Sequence, residues 1–190
     1  ADQLSSFVDW NDRRSCILFG DGAGALAIEA TNKLDNFIGF DMRTDGERGS
    51  FLNLPSINNK DSIVDNIDFL SGGFSSIQMN GQEVYKFAVR EVSIILEKLF
   101  RTTNFSSDAV DWLVLHQANQ RILDSVGERL KIPKEKILSN LEKYGNTSAA
   151  TIPLMMDEAI RSNRIKQDDI IATSGFGAGL SWGAALIKWG

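Results

Sequence analysis

Cysteine and histidine are almost absent from this chain, since its 190 residues contain one of each, Cys16 and His116. A single cysteine excludes an internal disulfide, and one cysteine with one histidine is too few for a zinc site built on those ligands. Cys16 with His116 could still form a nucleophilic pair. However, Cys16 lies in the apolar run 15–19, where cysteine is usually a small buried hydrophobic residue, and we favour that interpretation.

Long apolar runs and an excess of basic residues are also missing. No run approaches the length of a membrane span, so we expect no membrane segment. Because there is only one cysteine and one histidine, we also expect no bound metal. The net charge of −5 argues against a general nucleic-acid binder, but it permits a local basic patch for an acidic partner. The start, Ala1-Asp2-Gln3-Leu4, resembles neither a signal nor a transit peptide, and without an initiator Met we expect it to be processed or truncated.

The residues that are present predict a folded α/β chain. Hydrophobic residues make up 43% and charged residues 24%, which is typical of a globular domain with a buried core. Apolar residues recur at intervals of three and four from Met79 to Arg101, which predicts an amphipathic helix. Short apolar runs alternate with such helical patterns, which indicates a layered fold with a mixed sheet.

The remaining elements follow from the same patterns. We predict strands at 15–19, 37–42, 111–115, 169–173 and 182–189, a short strand at 137–138, and helices at 118–130 and 149–161. Residues 25–30 fit either a strand or a buried helical turn. Residues 44–76 show little periodicity and many glycines and asparagines, so we interpret them as a long excursion or linker.

Two polar residues stand at places where chemistry often occurs. His116 ends an apolar strand, and ligands of α/β sheets collect beyond the carboxyl ends of strands. Asn146 follows Gly145 and opens a helix, so its amide could cap that helix or donate to a developing negative oxygen. Taken singly, each residue is as easily explained by a structural role.

Two glycine clusters have similar alternatives. Gly20-Asp21-Gly22-Ala23-Gly24-Ala25 matches a loose dinucleotide-binding pattern, but no amphipathic helix follows it, and we favour close backbone packing instead. Gly175-Phe176-Gly177-Ala178-Gly179 is predicted to be a tight loop between strands, where backbone N–H groups could face a ligand oxygen.

The ordered set of motifs resembles a known family. His116-Gln117-Ala118-Asn119 and Gly145-Asn146-Thr147-Ser148-Ala149-Ala150 carry most of the resemblance. They are accompanied by Phe19-Gly20-Asp21-Gly22-Ala23-Gly24 and by Phe176-Gly177-Ala178-Gly179 with Trp182-Gly183. From about Val8 to Gly190 the chain resembles the C-terminal part of a β-ketoacyl-acyl-carrier-protein synthase III.

The resemblance implies a thiolase-like layered α/β fold with two related halves. Residues 1–75 would be the end of the first half with the linker excursion, and residues 76–190 the complete second half. It implies decarboxylative condensation of acetyl-coenzyme A with malonyl-acyl carrier protein, the first step of fatty acid synthesis. The nucleophilic cysteine of the family would lie upstream of this chain, so the chain alone is expected to be inactive.

The resemblance also assigns roles to individual residues. His116 and Asn146 would be catalytic, and the backbone N–H near Ala178 would hold a second oxyanion. Substrate contacts would come from Arg13, Asn119, Met79 and Tyr85, and contacts to the acidic carrier protein from Lys86 and Arg121. Arg14 departs from the family, which often has glycine there.

Partners and location follow in the same way. The resemblance implies acyl-coenzyme A and acyl carrier protein as partners, a homodimer, no cofactor beyond the thioester substrate, and the bacterial cytoplasm or plastid stroma. A related synthase with another acyl starter, a non-catalytic thiolase-like subunit, and nucleotide binding through 20–24 remain alternatives. The subunit alternative predicts that His116 and Asn146 do not share a pocket.

Overall fold

The computed structural model of the chain describes the backbone of residues 1–30, 36–64 and 67–190, and the side chains of these residues outside 58–71. Ten strands are described: β1 Asp2–Gln3, β2 Asp21–Gly22, β3 Phe37–Thr44, β4 Leu52–Asn53, β5 Ser56–Val64, β6 Ile67–Phe74, β7 Gln78–Met79, β8 Trp112–Leu115, β9 Ile170–Gly177 and β10 Ser181–Lys188. The α-helices are α1 Gly81–Thr103, α2 Gln120–Leu130, α3 Leu141–Tyr144 and α4 Thr151–Arg161. Short 3-10 helices span Leu4–Phe7, Gly46–Phe51, Ser107–Ala109, Lys134–Lys136 and Ser148–Ala150.

The predicted helix over 79–101 is confirmed as α1. Asn80 caps its start by accepting a hydrogen bond from the Glu83 N–H, and Asn104 ends it in the left-handed conformation with φ of 57°. Its apolar stripe is buried, with Ala88 and Leu96 both 0% exposed. Among the described residues, none of the helices combines the length and the hydrophobicity that a membrane span requires.

A mixed four-stranded sheet forms the middle layer, in the order β3-β10-β9-β8. β8 runs parallel to β9, whereas β10 is antiparallel to both of its neighbours. Side chains of β8 alternate between the faces, so Leu113 and Leu115 pack with α1 and α2 while Val114 packs with α4. The sheet is thus covered on both faces, which confirms the predicted layered α/β class and mixed sheet.

The first thirty residues differ from the predicted pattern. Residues 15–18 form turns, and Phe19 makes only an isolated bridge to Asn146, so the predicted strand at 15–19 is wrong. Residues 25–30 form neither helix nor strand, and Ile28 is 94% exposed. Apolar composition alone predicts a strand only if a neighbouring layer covers it, and the described residues provide none here.

Two other segments also depart from expectation. The stretch 44–76 contains the β5–β6 hairpin, paired from Ser56 to Phe74, which sequence pattern did not predict. Two antiparallel strands satisfy each other's backbone groups and need no apolar stripe to do so. The predicted loop 175–179 is shorter than expected, because β9 continues through Gly177 and the turn begins at Ala178.

Candidate active site

His116 and Asn146 line one cavity of about 700 Å³ between the end of β8, the start of α1, and the segments around residues 18 and 53. Six other residues that the resemblance singled out line the same cavity: Met79, Tyr85, Lys86, Asn119, Arg121 and Ala178. A non-catalytic thiolase-like subunit was expected to have His116 and Asn146 in separate places, so their shared cavity argues against that alternative.

His116 is held from several sides at the end of β8. Its backbone N–H donates to the Ser174 carbonyl at 2.8 Å, which continues the parallel pairing of β8 with β9. Its Nδ1 lies 2.6 Å from the Thr151 hydroxyl oxygen. The edge of its ring meets Phe176, with centroids 5.1 Å apart and planes at 80°. The imidazole therefore has a defined orientation before any ligand binds.

The surroundings of His116 also determine its charge. Burial disfavours the imidazolium and lowers the pKa of His116 from 6.5 to about 4, so the side chain is neutral at pH 7. Nδ1 has Thr151 as its partner, whereas Nε2 has no hydrogen-bonding partner among the described residues. Nε2 is thus the nitrogen available to a molecule in the cavity.

Gln117 fixes the turn that follows His116, and sequence reasoning gave it no role. The side chain is 0% exposed. Its amide nitrogen donates to the carbonyls of Leu115 and Leu138, at 2.7 and 3.2 Å, and its oxygen accepts from the Asn140 N–H at 3.2 Å. No local pattern could reveal this, because two of its three partners, Leu138 and Asn140, lie more than twenty residues away.

Asn146 is positioned by its backbone and by its own side chain. Gly145 precedes it with φ of 64°, a conformation that favours glycine. The Asn146 N–H donates to the Leu18 carbonyl at 2.8 Å, and its carbonyl accepts from the Gly20 N–H at 2.9 Å. Its Oδ1 accepts from the Ser148 N–H at 2.9 Å, so the amide NH₂ remains as the free end of the side chain.

The glycines at 20–24 allow this close approach. A Cβ on Gly20 would lie 2.3 Å from the Tyr144 carbonyl oxygen, and one on Gly24 would lie 2.4 Å from Cγ of Pro153. The interpretation as close backbone packing is therefore confirmed. On the side where a Cβ would point, these glycines pack against the Asn146 loop and α4.

Two predicted residues lie apart from the cavity lining. Arg13 is exposed and does not line the cavity, whereas its neighbour Arg14 does and also pairs with Asp12 at 2.9 Å. Cys16 is half-buried and is likewise not among the lining residues. The structure thus gives no support to a Cys16–His116 pair, and the role of Arg13 stays a prediction.

The remaining lining residues have defined neighbours. The Tyr85 hydroxyl lies 3.0 Å from the Ser125 hydroxyl, and the guanidinium of Arg121 lies over the Tyr85 ring at 5.1 Å. Lys86 pairs with Glu83 at 2.7 Å, and Asn119 caps α2 by accepting from the Arg121 N–H. The rim of the cavity thus combines basic groups with aromatic and amide surface.

Ala178 lines the cavity directly after β9. Its φ lies outside the left-handed region, in contrast to Gly179 with φ of 141°. An alanine is therefore tolerated at this turn without backbone strain.

Comparison with known families matches both ends of the chain to one family. Residues 1–46 match the model for 3-oxoacyl-[acyl-carrier-protein] synthase III, and residues 100–189 match the model for its C-terminal part. The chain belongs to the 3-oxoacyl-[acyl-carrier-protein] synthase III family. Its thiolase-like fold follows from this membership. The predicted boundary between residues 75 and 76 lies in the stretch that neither model matches, and it stays a prediction.

Individual members of the synthase III family are similar to this chain over its whole length. A β-ketoacyl-[acyl-carrier-protein] synthase III of Prochlorococcus marinus strain MIT 9312 is 88% identical over the whole chain, and one of Synechococcus sp. strain WH7803 is 59% identical. The crystal structure of 3-oxoacyl-[acyl-carrier-protein] synthase III from Aquifex aeolicus matches with 36% identity and a TM-score of 0.86, covering 100% of this chain and 56% of that one. The chain spans 57% of the first relative and 56% of the second.

Proposed function

We propose that the complete protein, meaning a chain of the relatives' full length that contains these 190 residues, is a β-ketoacyl-acyl-carrier-protein synthase III. It would condense acetyl-coenzyme A with malonyl-acyl carrier protein to begin fatty acid synthesis. The observation that carries this proposal is the shared cavity of His116 and Asn146, in which an imidazole and a carboxamide each keep one free end.

The chemistry needs two donors at one oxygen. When malonyl thioester loses carbon dioxide, the electron pair of the broken bond becomes an enolate whose charge rests on the thioester oxygen. Nε2 of His116 and the NH₂ of Asn146 would donate hydrogen bonds to that oxygen. Because the site is already ordered, little reorganisation is needed when the charge develops, and losing one such donor typically costs about 3–4 kcal/mol.

The acyl group must be held elsewhere in the cavity. A cysteine thiolate would take acetyl from its coenzyme A thioester and release the coenzyme A thiolate. The enolate carbon would then attack the acetyl carbonyl, forming the β-ketoacyl product and returning the thiolate. The oxygen of that second step would meet the Ala178 N–H. Cys16 is the only cysteine of the 190 residues and does not line the cavity, so we place the thiolate outside this chain.

The rim of the cavity suits an acidic carrier protein. Lys86, Arg121 and Arg14 are cationic lining residues on a chain whose net charge is −5. Such a local patch can orient an acidic partner without requiring a basic protein. Asn119, Met79 and Tyr85 would contact the pantetheine arm, which coenzyme A and the carrier protein share. A homodimer in the cytoplasm or plastid stroma completes this proposal.

The test separates the two half-reactions in the complete protein. Transfer of labelled acetyl to the enzyme and release of labelled carbon dioxide from malonyl-carrier protein are measured for His116→Ala and Asn146→Asp. We expect decarboxylation to fall about 10²- to 10³-fold in either variant, while acetyl transfer persists. Acyl-coenzyme A substrates of increasing length then determine the starter.

Asn163→Asp is the matched control, because the same change is made at an exposed residue outside the cavity. It should leave both half-reactions unchanged. The 190-residue chain alone should condense nothing. Condensation by that chain, or full decarboxylation in both cavity variants, would refute the proposal.

A further inference from the structure

Thr151 is the first residue of α4, and no family motif assigns it a role here. It is 2% exposed. Its hydroxyl oxygen lies 2.6 Å from Nδ1 of His116 and 2.9 Å from the Ser148 carbonyl oxygen. The hydroxyl therefore has two neighbours that can accept a hydrogen bond, but it carries only one proton.

The two possible acceptors, the Ser148 carbonyl and Nδ1 of His116, differ in the other hydrogen bonds that they accept. The Ser148 carbonyl already accepts the backbone N–H of Thr151 in the 3-10 turn that opens α4. Among the described residues, Nδ1 of His116 has Thr151 as its only partner. We propose that Thr151 is a positioning residue whose hydroxyl donates to Nδ1 of His116 and thereby holds the imidazole proton on Nε2.

The position of this proton determines whether Nε2 of His116 donates or accepts a hydrogen bond in the cavity. With Nδ1 as acceptor, Nε2 carries the proton and can donate to a substrate oxygen. If the Thr151 hydroxyl donated to Ser148 instead, Nδ1 would keep the proton and the lone pair of Nε2 would face the enolate oxygen, which is repulsive. Protonation of both nitrogens is disfavoured at neutral pH because burial lowers the pKa of His116 to about 4.

The importance of this tautomer rests on the proposed function, but its existence does not. The tautomer can therefore be determined directly by NMR spectroscopy. The complete protein is labelled with ¹⁵N-histidine, and long-range proton–nitrogen correlations of the imidazole ring show which nitrogen is protonated. His116 is the only histidine of these 190 residues, and the loss of its signals in His116→Gln assigns them.

We expect the proton on Nε2 in the unmodified protein and in Thr151→Ser, which keeps the hydroxyl. Thr151→Val keeps the shape and removes the hydroxyl, so the ring should become a mixture of both tautomers. Decarboxylation of malonyl-carrier protein should fall about tenfold in Thr151→Val and return in Thr151→Ser. A role in packing alone would leave the tautomer unchanged in Thr151→Val.

A proton on Nδ1 in the unmodified protein would overturn the assignment, and this result does not depend on whether any variant folds. An unchanged tautomer in a folded Thr151→Val would overturn it as well. A proton on Nε2 in a protein that fails to decarboxylate would support the assignment of Thr151 while removing the proposed function.

Discussion

The N-terminal segment, residues 1–30, and the C-terminal layers, residues 81–190, differ in how far their apolar side chains are buried. In the C-terminal layers, large aliphatic side chains such as Leu96 and Leu113 are 0% exposed between the sheet and its helices. Within the N-terminal segment, all of which the structure describes, only Val8 and Ser15 are buried, and Ile28 is 94% exposed. Similar residues thus have different energetic roles in the two regions.

The difference shows what the N-terminal segment contributes. It provides backbone rather than core, since Leu18 and Gly20 hold both backbone groups of Asn146. The C-terminal layers supply the packed frame that positions His116. The candidate site is built where the two meet, so one of its donors depends on buried packing and the other on a backbone contact.

Truncation of a buried side chain in the C-terminal layers should have the largest effect on stability. Leu96→Ala should lower the free energy of unfolding by about 3 kcal/mol, because the substitution leaves a cavity in the core. Ile28→Ala is the matched control and should change it by less than about 0.5 kcal/mol. Urea unfolding measures both. A similar loss in both variants would show that the N-terminal segment is packed.

Adding a side chain where two backbone segments lie close together should have the next largest effect on stability. A Cβ at Gly20 would lie 2.3 Å from the Tyr144 carbonyl oxygen, so Gly20→Ala must displace the Asn146 loop. We expect a loss of about 2 kcal/mol and shifted amide signals at Asn146 in an NMR spectrum. Gly46→Ala is the control, since its Cβ would have no atom within 4 Å. Equal stability of the two variants would contradict the role assigned to this contact.

Mild acidification should give the smallest effect, and it should act through His116, the single histidine of these residues, which lies in the C-terminal layers. The pKa of His116 is about 4 when folded and 6.5 in the reference state, so the unfolded chain binds its proton first as the pH falls. Stability is therefore lost on acidification, by about 1 kcal/mol between pH 7 and pH 5.5. In His116→Gln this loss should vanish. A pH-independent stability of the unmodified chain in that range would contradict the buried neutral imidazole.

Prediction from sequence succeeded where an apolar pattern faces a layer of the same chain. The helices α1 and α2 and the strands β3, β8, β9 and β10 were all predicted, within a few residues at their ends. It failed at 15–19 and 25–30, because an apolar run does not form a strand without a neighbour to cover it. It also missed the β5–β6 hairpin, whose pairing depends on backbone groups.

The same division holds within the candidate site. The motifs around His116 and Asn146 predicted both residues, and the structure places them in one cavity. Arg14 lines the cavity and Arg13 does not, which the local pattern could not show, and the substrate contact assigned to Arg13 stays a prediction. Thr151 and Gln117 were missed, because a hydroxyl or amide acquires its role from distant partners.

The family, the layered α/β class and the two candidate residues His116 and Asn146 could all be predicted from the sequence alone, because motifs and periodicity are local properties of the chain. The neutrality of His116, the pairing of its Nδ1 with Thr151, and the contact of Leu18 and Gly20 with Asn146 could be recognised only in the folded structure. These depend on desolvation and on hydrogen bonds between groups far apart in the chain, which exist only after the layers have packed.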